Sequence, residues 1–304
     1  MKRYLWIFAV LPFLWSCIAE DSSACPQPRG VSVRMSVCPD PMTAVTRTTD
    51  EEALRDLNFY LLDADGNVVQ HRYQSSPTLR FECLPGDYLL RIAANMGRDT
   101  GDSPAWENLA VTHADDYDTL PMAYEGEVSI PSSDETVTLP TVEVQRVVAK
   151  VTYNISVAPD AGDIRLHSVQ PVNLPARMPV FDPGLRAAEY TAGEIVGSSS
   201  QTLTGTFYML PNLQGEVPSI ADQRDKGPAN APADATFLRI RALRGSKVLD
   251  YYIYPGGNNT SNFDIRANTH YRLDIMIRGD AEVDPRIRAY TVEVLCTPEA
   301  ALSN

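Results

Sequence analysis

The chain has 304 residues, 39 acidic side chains against 26 basic ones and a formal net charge of −13. That length allows one large or two ordinary domains, and the acidic surplus repels phosphate backbones, which excludes nucleic acid as a natural partner. Past the first 16 residues no apolar run approaches the roughly 20 residues that a spanning helix needs.

The first element is a leader. Lys2 and Arg3 give a positive start, and Tyr4 to Trp15 follow without a charge. The run is too short to span a bilayer and suits the apolar region of an export signal. It ends in Leu14-Trp15-Ser16-Cys17, which resembles a bacterial lipobox, with Cys17 as the new N-terminus and point of acylation. An acyl anchor of the palmitate type holds stably only with two or more chains. The residues that follow, Ile18 to Ser23, are polar and acidic, as a tether requires. The expected division is signal peptide 1–16, tether 17–29, and a folded body from residue 30.

The body reads as strands broken by turn signals. Val31, Val33, Met35 and Val37 alternate with polar residues, which predicts a half-buried strand. "LNFYLLDADGNVVQHRY" predicts a hairpin around Asp65-Gly66-Asn67, and "TLRFECLPGDYLLRIAANMG" a second around Pro85-Gly86. "SPAWENLAVTHADD" carries weak helix signals, with Ser103 as N-cap and Pro104 in the first turn. Eight further β-branched and aromatic runs follow, the last of them "AYTVEVLC". The expected fold class is all-β, of the sandwich type. A loose internal echo equates the strand Gly30–Val37 with Arg146–Val157 and Tyr88-x-x-x-Ile92 with Tyr271-x-x-x-Ile275, and predicts two sandwiches of similar plan meeting near residues 140–146.

Chemistry is sparse. His71, His113, His167 and His270 are scattered and no nucleophile elbow or phosphate-binding glycine loop occurs. "DADGN" imitates a calcium loop, but the position that requires Glu holds Gln74, so a turn is expected. Neither the acidic "DDYD" nor the cysteine spacings fit a metal site. No enzyme, cofactor or metal is expected. With Cys17 acylated, Cys25, Cys38, Cys83 and Cys296 remain; an exported chain permits up to two disulfides in any of three pairings, and free thiols are equally open.

In their order, these segments resemble the Bacteroidetes fimbrillin superfamily. "SCIAEDSSACP" is similar to the start of fimbrial anchor proteins, "LPGDYLLRIAANMG" and "LPMAYEGEVSIP" to segments of the N-terminal domain, and "VQRVVAKVTYNI", "FYMLPNLQGE" and "FDIRANTHYRLDIMIRG" to segments of the C-terminal domain. The resemblance implies two transthyretin-like β-sandwich domains in tandem, here 30–143 and 144–304. It implies a surface-exposed outer-membrane lipoprotein that serves cell adhesion as part of a fimbrium or pilus. It also implies assembly by β-strand donation between fimbrial subunits. In stalk fimbrillins the first strand is cut away after an arginine and a neighbour's C-terminal strand replaces it. The residues that match are Val31, Val33, Met35 and Val37 for the first strand, Arg47 for the cleavage, and Tyr290, Val292 and Val294 for the donor. Anchors keep both lipid and first strand, so the resemblance leaves anchor, accessory and stalk roles open. A different reading is a monomeric lipoprotein binding a glycan or protein on an aromatic platform, for which Tyr251, Tyr252 and Tyr254 are the candidates.

Overall fold

The computed structural model describes residues 29–40, 49–182, 184, 186–279 and 292–300, the last stretch and residues 49–50 as backbone only. It is almost entirely β. The strands in chain order are β1 (Val31–Pro39), β2 (Leu57–Leu62), β3 (Val68–Gln74), β4 (Thr78–Cys83), β5 (Gly86–Ala94), β6 (Ala110–Thr112), β7 (Met122–Ile130), β8 (Val137–Thr138) and β9 (Val142–Arg146). The second half adds β10 (Ala149–Val157), β11 (Ile164–Pro175), β12 (Arg177–Pro179), β13 (Tyr190–Ala192), β14 (Val196–Gly197), β15 (Thr202–Met209), β16 (Phe237–Arg244), β17 (Lys247–Ile253), β18 (Thr269–Ile277) and β19 (Val292–Ala300).

The first half orders its strands β3-β2-β5-β7-β9-β1-β4, with β8 beside β1. The pairing of Met122 and Ala123 with Arg146 and Gln145 links β7 to β9 and so joins the two faces of this sandwich. Its core takes Val31, Val33, Met35 and Val37 from β1, Leu57, Phe59 and Leu61 from β2, and Leu79 and Phe81 from β4. The even-numbered residues of β2 are buried as well, because the segment after β5 folds over them. Asn58 donates to the Arg98 carbonyl at 3.0 Å and accepts from the Thr100 amide at 2.9 Å, while the Tyr60 hydroxyl donates to the Gly101 carbonyl. The second half forms two sheets, β15-β10-β18-β19 and β13-β11-β16-β17, with β14 also against β11. Val151, Ile155, Leu166, Ile240, Leu273 and Ile275 fill the space between them.

The two cores are not separated at one residue. Val147 and Val148 belong to the first and Ala149 to the second. Met178, Val180 and Leu210, from the second half of the sequence, are packed in the first core, and β12 pairs with β6.

The first hairpin forms where expected and the second does not: β4 pairs with β1 while β5 pairs with β2 and β7, so the turn at Pro85-Gly86 carries the chain from one face of the sandwich to the other. The Asp63 carboxylate accepts the amides of Asp65 and Asn67, and Gly66 takes φ +81°, so "DADGN" closes β2 on β3. Those hydrogen bonds, the Asn67 amide first, hold the Asp63 carboxyl below its ordinary pKa. The helix expected at Ser103 is absent: the Asn108 amide bonds to the Ala105 carbonyl in one turn, after which the chain enters β6. Burial wins there over the cap signals, since Trp106 packs edge-on against Tyr60 and Phe181 and Leu109 enters the core. The echo between Tyr88 and Tyr271 also fails as a correspondence of strands, for β5 lies between β2 and β7 whereas β18 lies between β10 and β19. Among the described residues no helix is long and apolar enough to cross a membrane.

Candidate functional site

Alternation places β1 inside the first sandwich. Val31, Val33 and Met35 are each 1 % exposed and Val37 3 %. One edge of β1 is antiparallel to β4, from Val31 opposite Cys83 to Ser36 opposite Thr78. The other runs parallel to β8 at Val33–Arg34 and to β9 at Val37–Pro39. The strand is therefore an interior one that contributes four apolar side chains to the core. After Asp40 come residues 41–48; Arg47 lies among them, outside the described residues. Cys17, Cys25 and Tyr290 also lie outside. Val292 and Val294 stand in β19, opposite Ile277 and Ile275, and among the described residues β19 is the edge of its sheet, paired with β18.

The sequence reading missed what holds the two ends of segment 41–48. Arg146, at the end of β9, is 1 % exposed. Its Nη1 donates to the Asp40 carbonyl at 3.0 Å, and its Nη2 and Nε donate to the Glu51 carbonyl at 3.0 and 3.2 Å. A fourth, longer bond of 3.4 Å goes to Oδ1 of Asn268, whose Nδ2 in turn donates to the Asp40 carboxylate at 2.7 Å. Glu51 is fixed from the second half as well, with its Oε1 accepting from Lys150 Nζ at 2.7 Å and from the Tyr208 hydroxyl at 2.5 Å. Burial lowers the Arg146 pKa, opposed by Glu51, Glu52 and Asp40; burial, then the bond to Glu51, raises that of Tyr208. Removing a partner from such a set strands a charge in low dielectric, which makes the cluster rigid. One guanidinium thus ties the end of β1, the chain beyond 41–48 and the second sandwich together. The signal in the sequence was a pair of charges, Arg146 and Lys150, inside the apolar run Val144 to Val151.

Other expected features resolve simply. Cys38 and Cys83 are free and half-buried, and burial raises the pKa of both thiols. Val31, not Cys38, stands opposite Cys83, so the seven intervening residues of β1 put the two thiols roughly 20 Å apart and remove that pairing from the three. The tyrosine platform does not assemble. Tyr251 is 3 % exposed in the second core and Tyr254 8 % exposed in a small cluster with Ile220, Ala235 and Phe263, leaving Tyr252 alone outside. Burial pushes the Tyr254 hydroxyl up to about 12. The following "PGGNN" turn wraps Lys226, whose Nζ donates to the carbonyls of Asn258 and Asn262. Gly256 is required in it, because a Cβ there would stand 2.0 Å from the Asn262 carbonyl oxygen.

The histidines have separate settings. His71 stacks on Tyr60 and bonds through Nδ1 to Asp102 at 2.9 Å, His270 bonds to Thr152, and His167 is exposed. Among the described residues no three His, Cys, Asp or Glu side chains gather as metal ligands.

Residues 207–275 match a family described as a domain of unknown function, DUF4906. No curated protein matches the chain in sequence. Solved structures do match in fold. The tip fimbrial protein Mfa3 of Porphyromonas gingivalis, with a C-terminal truncation, superposes with a TM-score of 0.62 at 15 % identity, over 90 % of this chain and 100 % of that one. FimA fimbrilin of the same organism gives 0.59 at 13 %, over 88 % and 96 %, and a candidate cell-adhesion protein of Bacteroides eggerthii 0.64 at 14 %, over 90 % and 96 %. With β1 enclosed by β4, β8 and β9 and the second sandwich tied to it through Arg146, the chain has the fold of the Bacteroidetes fimbrillins.

Proposed function

We propose that the protein is a structural subunit of cell-surface fimbriae, exported as a lipoprotein through Cys17 and joined to other subunits by exchange of a β-strand. The observation that carries this reading is the position of β1. It is an interior strand whose four apolar side chains fill the core, and it is separated from the rest of its sandwich by the short segment 41–48 that contains Arg47. Removal of such a strand leaves an apolar groove flanked by unpaired backbone groups, and another extended strand fits there. The likeness to fimbrial proteins over about nine-tenths of the chain supports the same reading. With β1 kept, the protein is a lipid-held anchor or accessory subunit; with β1 removed, it polymerises.

The test is the intact mass and N-terminus of the protein extracted from outer membranes. A triacylated Cys17 start is expected for the anchor or accessory form, and a Thr48 start, from hydrolysis of the Arg47–Thr48 bond, for the polymerising form. An unacylated start between residues 18 and 40 would overturn both the lipoprotein and the strand-exchange readings.

A further inference from the structure

The C-terminal segment repeats β1. Placed side by side without a gap, Val31-Ser32-Val33-Arg34-Met35-Ser36-Val37-Cys38-Pro39-Asp40 faces Tyr290-Thr291-Val292-Glu293-Val294-Leu295-Cys296-Thr297-Pro298-Glu299. Apolar residues coincide at all four core-facing positions, since Tyr290, Val292, Val294 and Cys296 fall on Val31, Val33, Met35 and Val37. The match also extends past the alternation. Pro39-Asp40, where β1 ends, falls on Pro298-Glu299. Alternating apolar residues are common to any half-buried strand, but a proline followed by an acid at a fixed distance is not a property of strands in general.

Asp40 is the residue that the seam reads. Its carbonyl accepts from Arg146 and its carboxylate from Asn268, and both donors are buried. If β1 leaves, Asn268 Nδ2 loses its acceptor and Arg146 keeps only the Glu51 carbonyl and the long bond to Asn268, at the cost that under-satisfied buried groups carry. Arg146 takes a main-chain carbonyl that any residue supplies, so an incoming strand is selected by the apolar positions that fill the core and by a side-chain acceptor for Asn268 at the Asp40 position.

We infer that Asn268, held by Arg146, forms a register lock for the C-terminal strand of a second copy of this chain, which enters in the direction of β1 with Glu299 at the place of Asp40. The occupant is at the periphery, because among the described residues β19 is an edge strand paired on one side, with β18. Its carboxylate is one methylene longer than that of Asp40 and brings the same charge to the Asn268 amide. A strand shifted by two residues keeps the alternation yet leaves the lock without its acid, so the lock fixes what the alternation leaves open. The inference rests on the strand-exchange reading above.

The experiment uses the full chain produced in its own cells, with outer-membrane extracts run unheated to display polymer ladders. Variants are made in the donor segment only, which leaves the Arg146 seam untouched. Glu299→Ala is expected to reduce the ladder about tenfold relative to monomer, and Glu299→Gln, which keeps an acceptor, much less. Register is read by oxidation. Position 290 of the donor would face Cys83, as Val31 does, at a separation that admits a disulfide, so Tyr290→Cys should link the ladder covalently and Val292→Cys should not. Adding Cys83→Ser should abolish the link. An undiminished ladder in Glu299→Ala, or a Cys83 link from Val292→Cys, would overturn the lock while leaving strand exchange in place. A native chain that builds no ladder, with deletion of residues 292–304 changing nothing, would remove strand exchange itself.

Discussion

The first strands of the two halves, β1 and β10, hold the same place in their sandwiches and are fastened differently. β1 runs parallel to β9 and β10 parallel to β18, and each is antiparallel to a partner on its other edge, β4 and β15. β10 is paired without interruption on both edges, with β15 over Ala149–Ser156 and with β18 over Lys150–Val157. It is continuous with β9 at one end, and at the other Ala158 accepts from the Ala161 amide in a turn into β11. β1 is fully paired only with β4; its parallel edge is two short stretches, against β8 and then β9. What compensates is side-chain burial and the Arg146 seam. The difference separates a strand paired along both edges from one held by its apolar face and a single anchored end, the strand that the proposed exchange would replace.

The comparison can be broken most directly at the seam. Arg146→Ala leaves the Asp40 and Glu51 carbonyls without their buried donor, so stability should fall by about 3–5 kcal/mol. Because Met178, Val180 and Leu210 sit in the first core, urea unfolding should remain one transition with a lower midpoint. If the midpoint shifts only for probes in the first sandwich, the halves are independent and the seam is not a tie between them.

A smaller effect sharpens the contrast between the halves. Gly205 on β15 stands opposite Tyr153 of β10, and a Cβ there would lie 2.2 Å from the tyrosine oxygen; at Gly126 on β7 the same construction meets the Tyr124 oxygen at 2.3 Å. Tyr153 is 6 % exposed and boxed in, whereas Tyr124 is half-buried and can swing outward. Gly205→Ala should therefore cost about 1–3 kcal/mol and Gly126→Ala under about 0.5 kcal/mol. Equal losses in thermal unfolding would show that both tyrosines are equally confined.

The smallest expected effect is a pH dependence where the halves meet at β6. His113 follows β6, its amide bonded to the Ala176 carbonyl, and burial lowers its pKa against the weaker opposing pull of Asp115. The folded state prefers the neutral ring, so the unfolded chain binds more protons below about pH 6.5. Stability should fall as pH drops through that value, down to the depressed folded pKa, and level off below it. His113→Gln should flatten that part of the stability–pH curve; an unchanged slope would assign the dependence to other groups.

Much of this was legible in the chain because its causes are local. Period-two alternation in "VSVRMSV" specifies a one-sided strand, and Asp63 with Gly66 specifies a turn by its own hydrogen bonds and by the positive φ that glycine tolerates. The expected helix at Ser103 failed because cap signals contribute little beside the burial of Trp106 and Leu109. The equation of Tyr88 with Tyr271 failed because alternation says which face a residue takes and nothing of which strand lies beside it. The correspondence in space is between β1 and β10, whose partners are far away in sequence.

The sequence by itself determined the all-β character and the apolar face of strands such as β1, because both follow from local alternation. Only the tertiary structure decided that Arg146 joins Asp40, Glu51 and Asn268. A buried guanidinium has no local signature, and its acceptors lie up to 122 residues away, brought within hydrogen-bond reach only when both cores close around it.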